Sequence, residues 1–125
     1  TIAEKNTMSV NTGGMEYWTP LLKDAFAAFS KDGGNQRWYA SMVADMKRLL
    51  IEGGAFIYPS NSKKGYENGH LRLIYEAIPM AYLVKKLGGA DSDGTQSLLD
   101  VAPTELHQKV PVYLGAKGLL GKFTG

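Results

Sequence analysis

Residues 53–94 read GGAFIYPSNSKKGYENGHLRLIYEAIPMAYLVKKLGGADSDG, and they predict a strand, a polar loop, a second strand, a helix and a glycine turn. The segment 55–59 is short, apolar and stopped by a proline, which is typical of a buried strand. The segment 60–69 has little to bury and is expected to form a loop. Over residues 70–77, apolar and polar side chains alternate as in a second strand, which is expected to lead into a helix over 79–87.

Glu76 stands where the second strand is expected to become a helix. The alternation places a cation and a carboxylate, Arg72 and Glu76, on the face opposite to Leu71, Leu73 and Tyr75. Because α/β proteins build their sites at the ends of strands, Glu76 is a candidate functional residue. An exposed, solvated strand face explains the same charge pair equally well, and both interpretations stay open.

Two further helices are expected before this stretch. Thr19 and Pro20 form a helix start signal, and Gly33-Gly34 marks the end of that helix. Ser41 is a candidate N-cap for the next helix. Its expected apolar face consists of Met42, Val43, Met46, Leu49 and Leu50, and its polar remainder includes Lys47, Arg48 and Glu52.

Shorter segments complete the pattern. Strands are expected at residues 8–10 and 110–114, and a connector is expected at 37–40. Residues 90–97 resemble a polar turn, and residues 117–125 contain too much glycine for a long helix. Helices and strands therefore alternate, which favours an α/β fold with a sheet between layers of helices.

The composition excludes several classes of function. The chain has 125 residues, enough for one domain, with 44% hydrophobic and 21% charged residues. A formal net charge of +2 is too small to indicate a nucleic-acid partner, and the basic residues are dispersed. The absence of cysteine excludes disulfides, thiol catalysis and thiolate metal sites. No apolar run approaches the roughly 20 residues of a membrane span.

The common catalytic and cofactor motifs are missing from the sequence. It contains no phosphate-binding loop, dinucleotide fingerprint, nucleophile elbow or zinc-protease motif. His70 and His107 are far apart, and His107 is interpreted as structural, within the turn 104–109. DSDG at residues 91–94 resembles half of a calcium loop but lacks the later glutamate, so a turn is expected there.

A scattered set of side chains could bind an anion. Phosphate prefers the planar fork of arginine together with neutral amide and hydroxyl donors. The residues of these types are Asn11, Arg37, Lys63, Lys64, His70 and Arg72, with phenols at Tyr39, Tyr58, Tyr66 and Tyr75. On its own this scatter supports surface charge better than an anion site.

Several separated runs in the same order resemble one family. They are RWYASMVADMKRLL (37–50), GGAFIYP (53–59), LRLIYEAIPMAYLVKKLGG (71–89), DSDG (91–94) and LLDVAPTELHQKVPVYLG (98–115). Over about Ser9 to Gly115 the chain resembles the C-terminal half of class I fructose-1,6-bisphosphatases. Sedoheptulose-1,7-bisphosphatases share several of these runs.

The resemblance implies a fold and an activity. The expected fold is a three-layer α/β/α sandwich with a mixed sheet, a single domain over 1–125. The N-terminal half of the family, with most metal-binding carboxylates and the residues that activate water, is expected to lie outside this chain. The implied reaction is Mg²⁺- or Mn²⁺-dependent hydrolysis of the 1-phosphate of fructose 1,6-bisphosphate, giving fructose 6-phosphate and phosphate in gluconeogenesis. This half alone is expected to be inactive.

The resemblance also implies partners. The expected partner is a sugar bisphosphate, with neither nucleic acid nor membrane, and the expected assembly is a homodimer or homotetramer. The expected location is the cytoplasm, with a plastid as the alternative.

By position, the resemblance assigns roles to individual residues. Arg37 matches an arginine that reaches the distal phosphate from a neighbouring subunit. Glu76 matches the one metal ligand contributed by this half. The remaining positions match residues that contact the sugar or its 6-phosphate, and they are Asn11, Ser41, Met42, Tyr58 and His70.

The chain departs from the family pattern at three positions. Trp38 follows the arginine, where the family has tyrosine. His70 stands where the family has lysine, and with an unperturbed pKa near 6.5 it would be mostly neutral at pH 7. Gly14 occupies the place of another family tyrosine, and Tyr17 lies nearby in the sequence. The loop over 60–69 is also longer than usual, so its Lys63, Lys64 or Tyr66 could compensate for lost donors.

Three alternatives to the fructose enzyme stay open. The first alternative is a sedoheptulose-1,7-bisphosphatase, which the changes at Trp38 and His70 keep open. The run PTELHQKVPVYLG (103–115) resembles the fructose enzymes more than the sedoheptulose enzymes. A sugar-phosphate-binding module without catalysis is the second alternative. A structural α/β domain without a ligand is the third.

Overall fold

The computed structural model describes residues 1–124 and is built on a mixed, five-stranded sheet. The chain has seven strands in all, which are β1 (Thr7–Ser9), β2 (Asn35–Arg37), β3 (Ala55–Tyr58), β4 (Leu71–Arg72), β5 (Ala90–Ser92), β6 (Lys109–Val110) and β7 (Val112–Gly115), within the described residues. The order in the main sheet is β2-β1-β3-β7-β5, while β4 and β6 form a separate pair. β1 runs parallel to β2 and β3, and β7 is antiparallel to β3 and β5.

Four α-helices are described, together with short helical turns. The helices are α1 (Pro20–Lys31), α2 (Met42–Glu52), α3 (Ile78–Lys86) and α4 (Lys117–Thr124). The Thr19 hydroxyl accepts a hydrogen bond from the Leu22 N–H at 3.3 Å. The Ser41 hydroxyl accepts one from the Ala44 N–H at 3.4 Å. The two N-caps predicted from the sequence are therefore confirmed.

Two hydrophobic cores lie on opposite faces of the sheet. Successive residues of a strand point to opposite faces. Phe56 of β3 packs in one core with residues of α2 and α3, and its neighbour Ile57 packs in the other with residues of α1 and α4. Helices thus cover both faces, and the predicted three-layer α/β/α sandwich is confirmed.

The strand predicted over residues 70–77 is wrong beyond Arg72. Leu73–Ala77 forms a π-helical turn that continues into α3, and Tyr75 is exposed. The pairing of β4 with β6 ends at Arg72 and Lys109. One further hydrogen bond follows it, from the Leu73 N–H to the carbonyl of Gln108, the residue before β6, at 2.8 Å. Beyond that point the backbone has no adjacent strand, so its amides are satisfied within a helical turn.

The polar turn predicted over residues 90–97 is wrong at its start, because Ala90–Ser92 is the edge strand β5. The connector predicted over residues 37–40 begins only after Arg37, which ends the strand β2 at the other edge. Because edge strands can carry polar side chains on both sides, their sequences resemble loops.

The glycine-rich stretch after residue 116 forms α4, while Gly125 lies outside the described residues. The carboxylate of Glu4 accepts from the Gly118 and Leu119 N–H groups at 2.8 and 3.1 Å. This cap comes from the far end of the chain, so no local pattern could reveal it.

The buried face of α2 differs from the one predicted. Val43 is 74% exposed, although it was expected to face inward. Arg48 was expected among the polar residues of α2 but is only 5% exposed. Its guanidinium donates to Ser9, Gly53 and Ala55 beneath the helix, whereas Val43 lies on the solvent side.

Candidate functional site

A cavity of about 280 Å³ opens at one edge of the sheet, beside the ends of β1 and β3. β1 and β3 are parallel, so their carboxyl ends meet at the same edge. The loop before α2 and the turn before α3 complete the wall. The predicted site residues that line this cavity are Asn11, Ser41, Met42, Tyr58 and Glu76.

A smaller cleft of about 20 Å³ adjoins the cavity. Asn11 and Tyr58 line both spaces, and His70 lines the cleft. The remaining walls of the cleft are Gly14, Trp18, Pro59 and Asn61. Residues that lie up to about 60 positions apart in the chain therefore meet around one composite space.

The Asn11 side chain is oriented by its own backbone turn. Its Oδ1 accepts a hydrogen bond from the Gly13 N–H at 2.9 Å, which caps the 3₁₀ helix Thr12–Tyr17. With the oxygen engaged there, the amide nitrogen is the atom available to the cavity. Burial raises the pKa of Tyr58, and hydrogen bonding with the Asn11 side chain partly offsets that effect. The phenol is therefore a protonated donor at neutral pH.

His70 is held between two phenol rings. Its ring centroid lies 4.2 Å from that of Tyr58 and 4.3 Å from that of Tyr66, with 17° between the planes in each pair. Only the edge of the imidazole is left free to make hydrogen bonds. Burial lowers the pKa of His70, and the charge of Lys109 lowers it further. The ring is therefore a neutral donor or acceptor at pH 7.

Trp38 forms one wall of the cavity. Its ring stacks on Phe56 with centroids 6.2 Å apart, and it meets Tyr58 edge to face at 5.1 Å. Ala40 then takes a left-handed backbone conformation with φ of 58°, which costs a non-glycine residue about 1 kcal/mol. That turn brings Ser41 and Met42 to the cavity, and it could not be predicted because alanine rarely takes this conformation.

Glu76 projects from the π-helical turn before α3. One carboxylate oxygen, Oε1, accepts a hydrogen bond from the Arg72 backbone N–H at 3.1 Å. Within residues 1–124, no three carboxylate or imidazole side chains lie close enough together to hold a metal ion. Among these residues Glu76 is therefore not part of such a group, and a metal site that includes Glu76 needs ligands from elsewhere.

Arg37 is the predicted site residue that lies outside the cavity and the cleft. It is exposed on the edge strand β2, and its guanidinium donates to the Gln36 carbonyl at 3.1 Å. Its position does not bring it to the other site residues of the same chain.

A larger open cavity of about 640 Å³ lies elsewhere, next to Asp93, Glu105 and His107. His107 is exposed, with its ring 5.9 Å from that of Tyr75. Burial acts to raise the pKa of Asp93, but hydrogen bonds from Thr95 and Gln96 outweigh it and lower the value. The Asp93 carboxylate is thus engaged in the turn that follows β5.

None of the helices within residues 1–124 has the length and apolar character that crossing a membrane requires.

The family model for "Fructose-1-6-bisphosphatase, C-terminal domain" matches residues 2–124. The chain is similar to Leishmania major fructose-1,6-bisphosphatase in its T state, with 34% identity, a TM-score of 0.88, and coverage of 96% of this chain and 38% of that one. The holo form of that enzyme gives 33% identity, a TM-score of 0.90, and coverage of 96% and 37%. The apo form gives 33% identity, a TM-score of 0.90, and coverage of 96% of this chain and 39% of that one.

The chain thus spans about 38% of the length of the solved structure in the T state. The family match and the structural similarity agree over nearly all of the described residues. The chain belongs to the fructose-1,6-bisphosphatase family and corresponds to its C-terminal domain.

Proposed function

We propose that the protein carrying this chain hydrolyses the 1-phosphate of fructose 1,6-bisphosphate in gluconeogenesis, and that this chain binds the sugar and its 6-phosphate. One observation carries the proposal. In a member of this family, neutral donors gather at the strand ends around two adjoining spaces, and the larger of these is also lined by two carboxylates. Asn11 and Tyr58 line both spaces, His70 lines the cleft, and Asp45 and Glu76 line the cavity.

The donors suit the distal phosphate because they can donate hydrogen bonds and are held in place. Asn11 is fixed by its cap and Tyr58 by the aromatic stack, so binding would cost these side chains little conformational entropy. Ser41 and Met42 would present their backbone to the sugar hydroxyls. These contacts bind the non-reacting end of the substrate and position the 1-phosphate for hydrolysis.

Glu76 would contribute one oxygen ligand to a Mg²⁺ or Mn²⁺ ion, with the other ligands from residues outside this chain. A bound divalent cation supplies charge stabilisation for phosphate-ester hydrolysis. The Arg72 N–H holds Oε1 of Glu76, so the carboxylate is oriented before any ion arrives. On this proposal the chain alone is inactive.

Arg37 would act in the site of a second copy of the chain, which requires at least a homodimer. The guanidinium is exposed on an edge strand and away from its own cavity. Planar guanidinium groups bind phosphate oxygens through paired hydrogen bonds.

Replacing Arg37 with alanine is expected to raise KM about tenfold or more and to leave kcat nearly unchanged, because distal-phosphate binding is the same in ground and transition states. Steady-state kinetics of the complete protein measure both values, with Lys122→Ala as an exposed control. A fall in kcat at constant KM would contradict this role.

Hybrid assemblies test whether Arg37 acts across the interface. A dimer of one Arg37→Ala subunit and one Glu76→Gln subunit contains one fully intact site if Arg37 reaches its neighbour. If Arg37 acts within its own subunit, both sites are damaged. Recovery of wild-type KM in the hybrid is therefore expected, and its absence would place Arg37 in its own chain.

The affinity for sugar phosphate is expected to rise as the pH falls, because His70 gains a positive charge. Its pKa is lowered below 6.5, so the charge appears only under mildly acidic conditions. A His70→Lys variant carries a permanent cation, and its KM at pH 7.5 is expected to be about tenfold lower.

The measurement is the ratio of wild-type to His70→Lys KM between about pH 5.5 and 8, in which the titration of the substrate itself cancels. The ratio should fall towards one as the pH decreases. A ratio that stays constant would show that His70 does not contact the phosphate.

Two alternative functions have specific support. Trp38 in the cavity wall and the neutral His70 favour a changed sugar specificity, which keeps sedoheptulose 1,7-bisphosphatase as the second candidate. The chain spans only about 38% of a solved family structure, which keeps a non-catalytic sugar-phosphate-binding module as the third. For either function, the proposed location of the protein is the cytoplasm or a plastid.

Mg²⁺-dependent phosphate release by the complete protein tests these functions directly. We expect faster release from fructose 1,6-bisphosphate than from sedoheptulose 1,7-bisphosphate. The reverse preference would select the second candidate. Binding of both sugars without release would select the binding module.

A further inference from the structure

Asn61, in the loop after β3, has a side chain whose orientation is set by the protein. Its Oδ1 accepts a hydrogen bond from the Lys63 N–H at 2.9 Å. Its backbone N–H donates to the Tyr66 carbonyl at 3.1 Å, which holds the residue in place. Because the oxygen of the amide is engaged by a donor, the nitrogen Nδ2 has to point the other way.

Nδ2 of Asn61 points towards the cleft. It lies 3.0 Å from the position that a Cβ atom on Gly14 would take, and Gly14 and Asn61 both line the cleft. In the described part of the chain, this nitrogen has no protein acceptor. A donor with a fixed direction and no partner is thus aimed at the space that Asn11, Tyr58 and His70 share.

The size of the cleft fits one ligand atom. Its volume of about 20 Å³ holds roughly one water-sized group. A whole phosphate is too large for it, but one phosphate oxygen is not. The rest of the phosphate would lie in the adjoining cavity, where Asn11 and Tyr58 line both spaces.

We propose that Asn61 is a further binding residue for the 6-phosphate, and that its Nδ2 donates a hydrogen bond to one phosphate oxygen in the cleft. This inference rests on the proposed function. Two cations strengthen it, since the Lys63 and Lys109 ammonium groups lie 6.0 and 5.8 Å from the ring centroid of Tyr66, which stacks on His70 of the cleft. Positive charge is thus held beside the cleft, and neutral donors line it.

Gly14 leaves the space that the Asn61 amide occupies beside the cleft. A side chain at this position would meet the Asn61 amide nitrogen at 3.0 Å, tighter than ordinary packing allows. The absence of a side chain at Gly14 therefore leaves room for the Asn61 donor. A larger residue at position 14 is therefore expected to be accepted without loss only when the side chain at position 61 is shorter.

The deciding variant is Asn61→Asp in the complete protein. Aspartate keeps an oxygen to accept the Lys63 N–H, so the loop turn is retained, but the donor is lost and a negative charge enters the cleft. Binding of fructose 6-phosphate, measured by calorimetry, is expected to weaken about thirtyfold or more. Asn68→Asp is the matched control, because it makes the same change in the same loop at the edge of the larger cavity, and less than about a twofold effect is expected.

Two further variants separate the lost hydrogen bond from the added charge. Asn61→Ser keeps a short side-chain acceptor and adds no charge, and about tenfold weaker binding is expected. Gly14→Ala leaves Asn61 intact but crowds its amide, and a loss of about threefold to tenfold is expected. Circular dichroism and Tm check folding. If the Asn61 variants do not fold, fructose 6-phosphate binding by Gly14→Ala tests the role of Asn61 instead, and unchanged binding would contradict that role.

The outcomes distinguish this inference from the proposed function. If the wild-type protein binds fructose 6-phosphate and Asn61→Ser binds it equally well, the role of Asn61 is wrong and the proposed function stands. Equal losses in Asn61→Asp and Asn68→Asp would also overturn it, since they would reflect loop charge alone. If the wild-type protein does not bind fructose 6-phosphate, the proposed function and the inference both fail.

Discussion

Replacing Glu76 with glutamine is expected to reduce Mg²⁺-dependent turnover of fructose 1,6-bisphosphate about a hundredfold or more in the complete protein. Glutamine has the same shape, and its oxygen can still accept the Arg72 N–H that holds Oε1. The turn before α3 should therefore stay folded. What is lost is the negative charge that a hard divalent cation requires of an oxygen ligand.

Initial rates over a series of Mg²⁺ concentrations measure this effect. The half-saturating Mg²⁺ concentration should rise together with the fall in rate. Glu105→Gln is the control, since it removes an exposed carboxylate at the larger cavity. Unchanged rates and unchanged Mg²⁺ dependence in Glu76→Gln would remove this residue from the metal site.

Replacing Arg48 with methionine is expected to destabilise the fold by about 3–5 kcal/mol. The guanidinium donates to the Ser9 hydroxyl at 2.9 Å, to the Gly53 carbonyl at 2.8 Å and to the Ala55 carbonyl at 2.9 Å. It thereby ties α2 to β1 and β3. Methionine fills similar space but leaves these buried acceptors without a donor, and each orphaned acceptor is unfavourable.

The free energy of unfolding, from denaturant titration, measures the destabilisation. Lys47→Met, at the neighbouring exposed position, is the control and should change stability by less than about 0.5 kcal/mol. Burial lowers the pKa of Arg48, yet an arginine stays charged at neutral pH. An Arg48→Met variant as stable as the wild type would show that these hydrogen bonds contribute little.

The parts of the fold that were predictable depend on local signals. The starts of α1 and α2 could be predicted from Thr19-Pro20 and Ser41, because an N-cap side chain binds amides only two or three residues away. The strand after residue 70 was extended too far, since its length is set by β6, which lies far away in the sequence. The helical character of the stretch after residue 116 was missed for the same reason, as Glu4 provides its cap.

The candidate site shows a similar division. The residues around the cavity came from the family resemblance, and the structure brings Asn11, Tyr58 and Glu76 together as that resemblance would require. Their roles remain predictions. Arg48 and Asn61 could not be assigned from sequence, because a buried guanidinium and an exposed one look alike, and so do a loop asparagine and a ligand-binding one.

A crystal structure of the complete protein with fructose 6-phosphate tests the central claim most directly. We predict that the phosphate lies within hydrogen-bonding distance of Asn11 and Tyr58, with the sugar against the turn at Ser41 and Met42. A phosphate bound in the larger cavity beside Asp93, with the cavity at the ends of β1 and β3 empty, would contradict the assignment of the site.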